Sequence, residues 1–174
     1  IRDSLMGMLI RDTVTGKVEY KRFLAEKPEN ETLAWQQFLD WLAGMEDFVI
    51  YHYAYYERQV FDRLALRHGV ASALAQKFHE RAIDLHQKVV DAVVLPLYFY
   101  TLKDIAKYIG YEWDDPNAGG AESVVWYDQW LRTGDRSMLE RILRYNEDDV
   151  RATMLLRDWL AGVKPSKSKE RLDE

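Results

Sequence analysis

The stretch Phe48-Val49-Ile50-Tyr51-His52-Tyr53-Ala54-Tyr55-Tyr56-Glu57 decides how this chain is read. Residues 48–51 form a short apolar run of β-forming residues, which predicts a buried strand with His52 at its end. From about Tyr55 to His68 apolar residues recur at helical spacing, with Val60, Phe61, Leu64 and Ala65 inward and Gly69 as the stop. A strand feeding a helix is the building unit of an α/β sheet, and open α/β sheets place ligands at the carboxyl ends of their strands. Glu57, one turn into the helix, stands at that edge. An acid there equally complements the positive end of the helix dipole, so spacing alone leaves both roles open.

Upstream, residues 5–10 and 18–24 flank the turn-rich stretch 12–17, a β-hairpin pattern. Residues 28–43 carry Leu33, Trp35, Phe38, Leu39 and Leu42 near helical spacing, and Gly44 closes that helix. Downstream, Ile83-Asp84-Leu85 predicts a very short strand, followed by helix pieces up to the break at Pro96. Helices are expected over 102–109, 121–131 and 137–160, with a polar loop over 113–120. Along the last helix Leu139, Ile142, Leu143, Asn146, Val150, Thr153, Met154 and Trp159 fall close to one stripe. This order predicts an α/β fold with a mixed sheet flanked by helices.

Composition sets the outer bounds. At 174 residues the chain suits one domain, read as 1–162 with a mobile polar tail over 163–174. Hydrophobic residues at 48% and charged residues at 30% fit a globular core and exclude a disordered or fibrous chain. No apolar run approaches the roughly 18 residues of a membrane span, so no membrane partner is expected. With 29 acidic against 24 basic residues there is no general basic coat, although a local basic patch stays open. The lack of cysteine excludes disulfides, thiolate nucleophiles and cysteine-ligated metals. The four histidines have no zinc-ligand spacing, and there is no glycine-rich nucleotide loop. The chain opens on Ile1 without an export signal and reads as an excised domain of a cytoplasmic protein.

The second place with chemical potential is Tyr145-Asn146-Glu147-Asp148-Asp149, inside the longest helix. Tyr145 and Asp149 share a face as i and i+4. Three successive acids repel one another, and a divalent cation relieves that repulsion through the oxygen ligands Mg²⁺ or Mn²⁺ prefers. Arg141, Arg144 and Arg151 offer the competing role of a balanced, solvated face. Asp84 before His86 is a third candidate, though an Asp at a helix start is often a cap. Tyr51, Tyr53, Tyr55 and Tyr56, with Tyr98, Phe99 and Tyr100, either stack bases or fill the core.

Taken together and in order, these motifs resemble the ribonuclease-H-like DEDD 3′–5′ exonuclease superfamily, closest to its YprB-type branch of predicted RecB-like nucleases. The resemblance covers about residues 5–160. His52-Tyr53-Ala54-Tyr55-Tyr56-Glu57 matches the second motif, with Glu57 where the family has Asp and Tyr53 where it has Asn. Tyr145 to Asp149 matches the Tyr-x-x-x-Asp motif of the tyrosine subclass. Ile83-Asp84-Leu85 and residues 100–110 resemble the intervening Asp-Leu and Ser-Leu-Lys stretch. The resemblance implies hydrolysis of phosphodiester bonds in DNA or RNA with two ions, Mg²⁺ or Mn²⁺, about 4 Å apart. It implies Glu57 and Asp149 as metal ligands, with Asp148 as a weaker alternative, and Tyr145 orienting the attacking water. His52, Tyr53, Tyr56, Asp84 and Lys103 fall on the substrate side. Single-stranded nucleic acid is the implied partner, beside an associated nuclease or helicase domain in a parent chain.

One motif is absent: no Asp-x-Glu occurs near Asp3 or elsewhere in the opening segment. The expectation is therefore a sheet without its first strand, and a chain that alone binds metal weakly and cleaves poorly. Two other classes compete. One is a catalytically degenerate nucleic-acid-binding or scaffolding domain of a larger repair or processing protein. The other is a protein-interaction domain that uses its Trp and Tyr residues at an interface.

Overall fold

Two short β-forming runs at the start of the chain form strands β1 (Leu5–Arg11) and β2 (Val18–Leu24), which pair antiparallel with Leu5 opposite Leu24. The computed structural model describes residues 5–164. The hairpin turn is held by Asp12, whose carboxylate accepts from the N–H of Val14 at 2.8 Å and of Thr15 at 2.7 Å. After a 3₁₀ turn at Pro28–Asn30, α1 (Glu31–Ala43) buries Ala34, Trp35, Phe38, Leu39 and Leu42 on one face. Phe61 and Leu64 of α2 (Tyr56–His68) and Phe78 of α3 (Ser72–Arg81) complete this aromatic core with Phe23 of β2. The rings of Phe61 and Phe78 stack at 3.8 Å. Helix α3 is an element the sequence reading lacked, since its apolar stripe of Leu74, Ala75 and Phe78 is too short to declare a period.

Strand β3 (Ile50–His52) is shorter than the sequence predicted. Phe48 stays outside because its N–H goes to the Asp47 carboxylate at 2.9 Å and its ring packs under the Lys77 ammonium. Strand β4 (Ala82–Asp84) runs parallel to β3, with Ile50 opposite Ala82 and His52 opposite Asp84. The α2–α3 pair supplies the crossover that a parallel connection requires. The fold is α/β with antiparallel and parallel pairing and flanking helices, as expected. The strands fall into two ladders, β1–β2 and β3–β4, instead of one hydrogen-bonded sheet among the described residues.

The second half is helical: α4 (Leu85–Ala92), α5 (Leu102–Tyr108), α6 (Gly120–Thr133) and α7 (Arg136–Gly162). Helix α7 joins three small cores. Leu139 and Ile142 meet Trp126 of α6, Ala152 meets Ala106 and Trp113, and Leu156 meets Leu85, Val89 and Ile105. Its inward line is therefore rotated from the one predicted. Leu139, Ile142, Ala152 and Leu156 are buried, while Leu143, Asn146, Val150, Thr153, Met154 and Trp159 are half-buried. The line of buried residues passes through Tyr145 and Asp149, and this sets the electrostatics of the site.

The hairpin lies against α7 with little clearance. A Cβ at Gly7 would stand 1.7 Å from Asn146 Oδ1, the oxygen that accepts from the Tyr20 hydroxyl at 2.7 Å. Arg11 forks onto Asp158 at 2.7 and 2.6 Å, tying the end of β1 to the end of α7. Among the described residues no helix is long and apolar enough to cross a membrane. Of the expected tail, residues 165–174 lie outside the described residues.

Candidate active site

The chain leaves β3 through a turn built around Ala54, whose φ of 61° is unusual for a residue with a side chain. Asp84 holds that turn: its Oδ1 accepts from the N–H of Ala54 and of His86, both at 2.9 Å. Asp84 thus caps α4 and clamps the neighbouring strand end with one oxygen. His52 is only 3% exposed. Its Nδ1 lies 2.7 Å from Ala54 O, and its Nε2 faces the Arg58 Nε–H at 3.2 Å. This network assigns a neutral ring with the proton on Nδ1. Burial lowers its pKa, in keeping with that state. With both nitrogens engaged, His52 shapes the turn and has no ring atom open to substrate. Tyr53 donates its hydroxyl to Tyr100 O and sets its ring edge-on to His86 at 5.4 Å. Tyr53 and Asp84 are therefore struts of the strand end. Tyr56 is largely exposed, with the Arg63 guanidinium 6.0 Å from its ring centroid.

This turn launches α2 with Glu57 in its first turn. Glu57 is solvent-exposed, and its pKa is raised to about 7, chiefly by desolvation. The charges of Asp149 and Asp84 contribute to this rise, and backbone hydrogen bonds from Glu57 and Tyr53 oppose it. Asp149, on the inward line of α7, is raised to about 6, again chiefly by desolvation. Hydrogen bonds from Trp113 and Tyr145, with the Lys103 charge, oppose that rise. The charge of Asp149 resists the ionisation of Glu57. The two acids thus share one electrostatic environment although they come from opposite halves of the chain. The helix-dipole role left open for Glu57 does not account for a raised pKa, because a dipole alone would lower it.

Tyr145 donates its hydroxyl to Asp149, as the i,i+4 offset allows. Burial, with the charge of Asp149, raises the phenol pKa, so the group remains a donor. Asp148 faces elsewhere. Its Oδ1 accepts from the Tyr111 hydroxyl at 2.7 Å and its Oδ2 from the N–H of Asp114 at 3.0 Å, so both oxygens anchor the α5–α6 loop. Lys103 donates to the carbonyls of Pro116 and Ala118 in the same loop, and its charge reaches Asp149. Trp113 is the participant that sequence reasoning missed: its Nε1–H donates to Asp149 Oδ1 at 2.9 Å. A Trp inside an otherwise polar loop was the available signal, since a buried indole N–H needs a partner.

A cavity of about 290 Å³ lies behind this loop, lined by Asp115, Trp126, Arg141, Tyr145 and Asp148 among others. It includes neither Glu57 nor Asp149, and its arginines are already paired, Arg141 with Asp115 and Arg144 with Asp114.

The donor chemistry at Glu57 and Asp149 suits a hard divalent cation. Both side chains are carboxylates with raised pKa values, an unfavourable charge that a cation would offset. Among the described residues no group of three or more His, Cys, Asp or Glu side chains could hold a metal ion, so the two acids are a partial ligand set.

A pH dependence follows in metal-free buffer. Both pKa values lie above the ordinary carboxylate values of 4.5 and 3.8, so the folded chain holds these protons more tightly than the unfolded chain. The resulting stabilisation is complete below the ordinary values and is lost as pH rises through about 6 and about 7. The thermal midpoint of the parent should therefore fall over that window relative to a Glu57→Gln, Asp149→Asn double variant. A constant difference between the two proteins across the window refutes the assignment.

The fold and site define an α/β domain in which a carboxylate after a strand end is electrostatically coupled to one on the long last helix. The family model of the RNase H superfamily matches residues 2–161, and the chain belongs to that superfamily. Membership implies a nuclease, a hydrolase of nucleic acids. Comparison with curated proteins and with solved structures found no match.

Proposed function

We propose that this domain is a metal-dependent 3′–5′ exonuclease of DNA or RNA that works on single-stranded ends. The observation that carries the reading is the electrostatic coupling of Glu57 to Asp149, two acids from distant elements, each with its pKa raised above the ordinary carboxylate value. Glu57 and Asp149 would hold Mg²⁺ or Mn²⁺. When bound, such a cation supplies Lewis-acid stabilisation of charge at the phosphodiester.

The chain's own residues do the rest. Tyr145, kept protonated, offers its O–H beside Asp149 and orients the attacking water. The strand-end turn fixes the first turn of α2 and with it Glu57. Lys103 places a positive charge near Asp149, where it favours the approach of an anionic strand. The exposed faces of Tyr55 and Tyr56, 71% and 61% accessible, stand beside Glu57 and provide surfaces on which bases stack.

Labelled single strands test this reading. The full-length protein with Mn²⁺ should shorten a 5′-labelled strand stepwise from its 3′ end. Tyr145→Phe should slow that shortening about 10-fold, at the level of an orienting partner. Equal rates for parent and Tyr145→Phe remove Tyr145 from the mechanism. A second reading, a catalytically degenerate binding domain, is favoured by the partial ligand set among the described residues. Strand binding without any cleavage in Mn²⁺ decides for it.

A further inference from the structure

The α5–α6 loop grips the acidic part of α7 at two successive residues. Tyr111 and the N–H of Asp114 hold Asp148, while Trp113 Nε1–H holds Asp149 Oδ1 at 2.9 Å. The Tyr111 and Trp113 rings meet edge to face at 5.0 Å. Trp113 is 8% exposed and packs with Ala106 of α5 and Ala152 of α7. The Lys103 ammonium lies 5.7 Å from the Trp113 ring centroid, and Lys103 also holds the far end of the loop through Pro116 O and Ala118 O. The indole is thus fixed on several sides.

The kind of donor matters. An arginine or lysine at this position would orient the carboxylate and also neutralise it. An indole N–H is neutral, so it fixes the orientation of the carboxylate and leaves the negative charge available. Two other indoles in this chain use ordinary acceptors: the buried Trp35 donates to Gly69 O at 2.8 Å and the half-buried Trp130 to Glu26 O at 2.7 Å. Trp113 alone among these three reaches a carboxylate, and it is one that the site requires.

We propose that Trp113 is a positioning residue for Asp149, fixing through its indole N–H the orientation in which that carboxylate receives a divalent cation. The proposal rests on the metal-dependent reading above. It assigns the α5–α6 loop a function beyond connecting two helices. Such outer-shell partners of metal ligands are worth about 10- to 100-fold in metal affinity.

Two measurements on the purified protein test it. The first follows the indole N–H signals of the six Trp residues by ¹⁵N-edited NMR during a Mg²⁺ titration. Trp113 is assigned as the signal missing from Trp113→Phe. Its signal should move with Mg²⁺ while those of Trp35 and Trp130 stay, and in Asp149→Asn it should no longer respond. The second is calorimetric titration with Mn²⁺, in which Trp113→Phe should bind about 10- to 100-fold more weakly than the parent while still unfolding cooperatively.

If the parent binds Mn²⁺ and Trp113→Phe binds it equally tightly, the positioning role is wrong and the metal reading survives. If the parent binds neither ion, the metal reading fails and takes this proposal with it. Should Trp113→Phe not fold, the Trp113 signal is assigned by triple-resonance NMR of the parent, and the parent's titration decides. A Trp113 signal that moves supports the role, and one that stays fixed under saturating Mg²⁺ overturns it.

Discussion

Asp149→Asn lowers Mn²⁺-dependent degradation of a single strand by the full-length protein more than about 100-fold, because losing a ligand costs more than losing a ligand's partner. The substitution keeps the shape of the side chain and leaves an oxygen to accept from Trp113. The fold should therefore survive. It should even gain stability at neutral pH, since the variant removes a charge that desolvation disfavours, the cause that raises the Asp149 pKa to about 6. Activity and stability thus move in opposite directions, a combination that a merely structural residue would not give. A variant that digests the strand at the parent's rate removes Asp149 from the site. A variant that loses activity together with its cooperative unfolding would return Asp149 to the core.

Trp35→Ala carries the largest expected effect on stability. Trp35 is 1% exposed, contacts Phe38 at 5.5 Å and Phe61 at 5.2 Å between ring centroids, and donates its N–H to Gly69 O. Truncation leaves a cavity in the aromatic core and strips a carbonyl of its partner, at a cost of about 3–5 kcal/mol. For a domain of this size that corresponds to a fall in thermal midpoint on the order of 10 °C. Urea unfolding of the two proteins measures it. A loss below about 1 kcal/mol would show that α1 and α2 do not share a core.

Local signals in the sequence carried much of the fold. The hairpin was legible because Asp12 and Gly16 punctuate two β-rich runs, and the observed pairing of 5–11 with 18–24 follows that punctuation. Helices α1, α2 and α7 were legible because Gly44, Gly69 and the Gly134-Asp135 break bound long apolar periods. Helix α3 was not, because its few apolar residues set no clear period. The inward line of α7 was misplaced for a related reason. Hydrophobic residues occur on more than one side of that helix, and periodicity cannot report which side the neighbouring helices occupy.

The site divides in the same way. Residue type and spacing made Glu57, Tyr145 and Asp149 candidates, since acids at a strand end and inside a helix are chemically conspicuous, and the family resemblance chose between their open roles. Their electrostatic coupling required the tertiary structure, because an interaction between distant elements leaves no periodic trace. Packing likewise assigned Asp148 to the loop, His52 and Asp84 to the turn, and Trp113 to Asp149. A carboxylate's role depends on which donors approach its oxygens, and those donors come from α5, α6 and the loop between them. The sequence by itself determined most of the order of elements, with α3 the exception, the absence of thiol chemistry and the acids proposed as cation ligands. Only the tertiary structure decided which of those acids are desolvated and which are already committed to hydrogen bonds, because desolvation is a property of the surrounding packing.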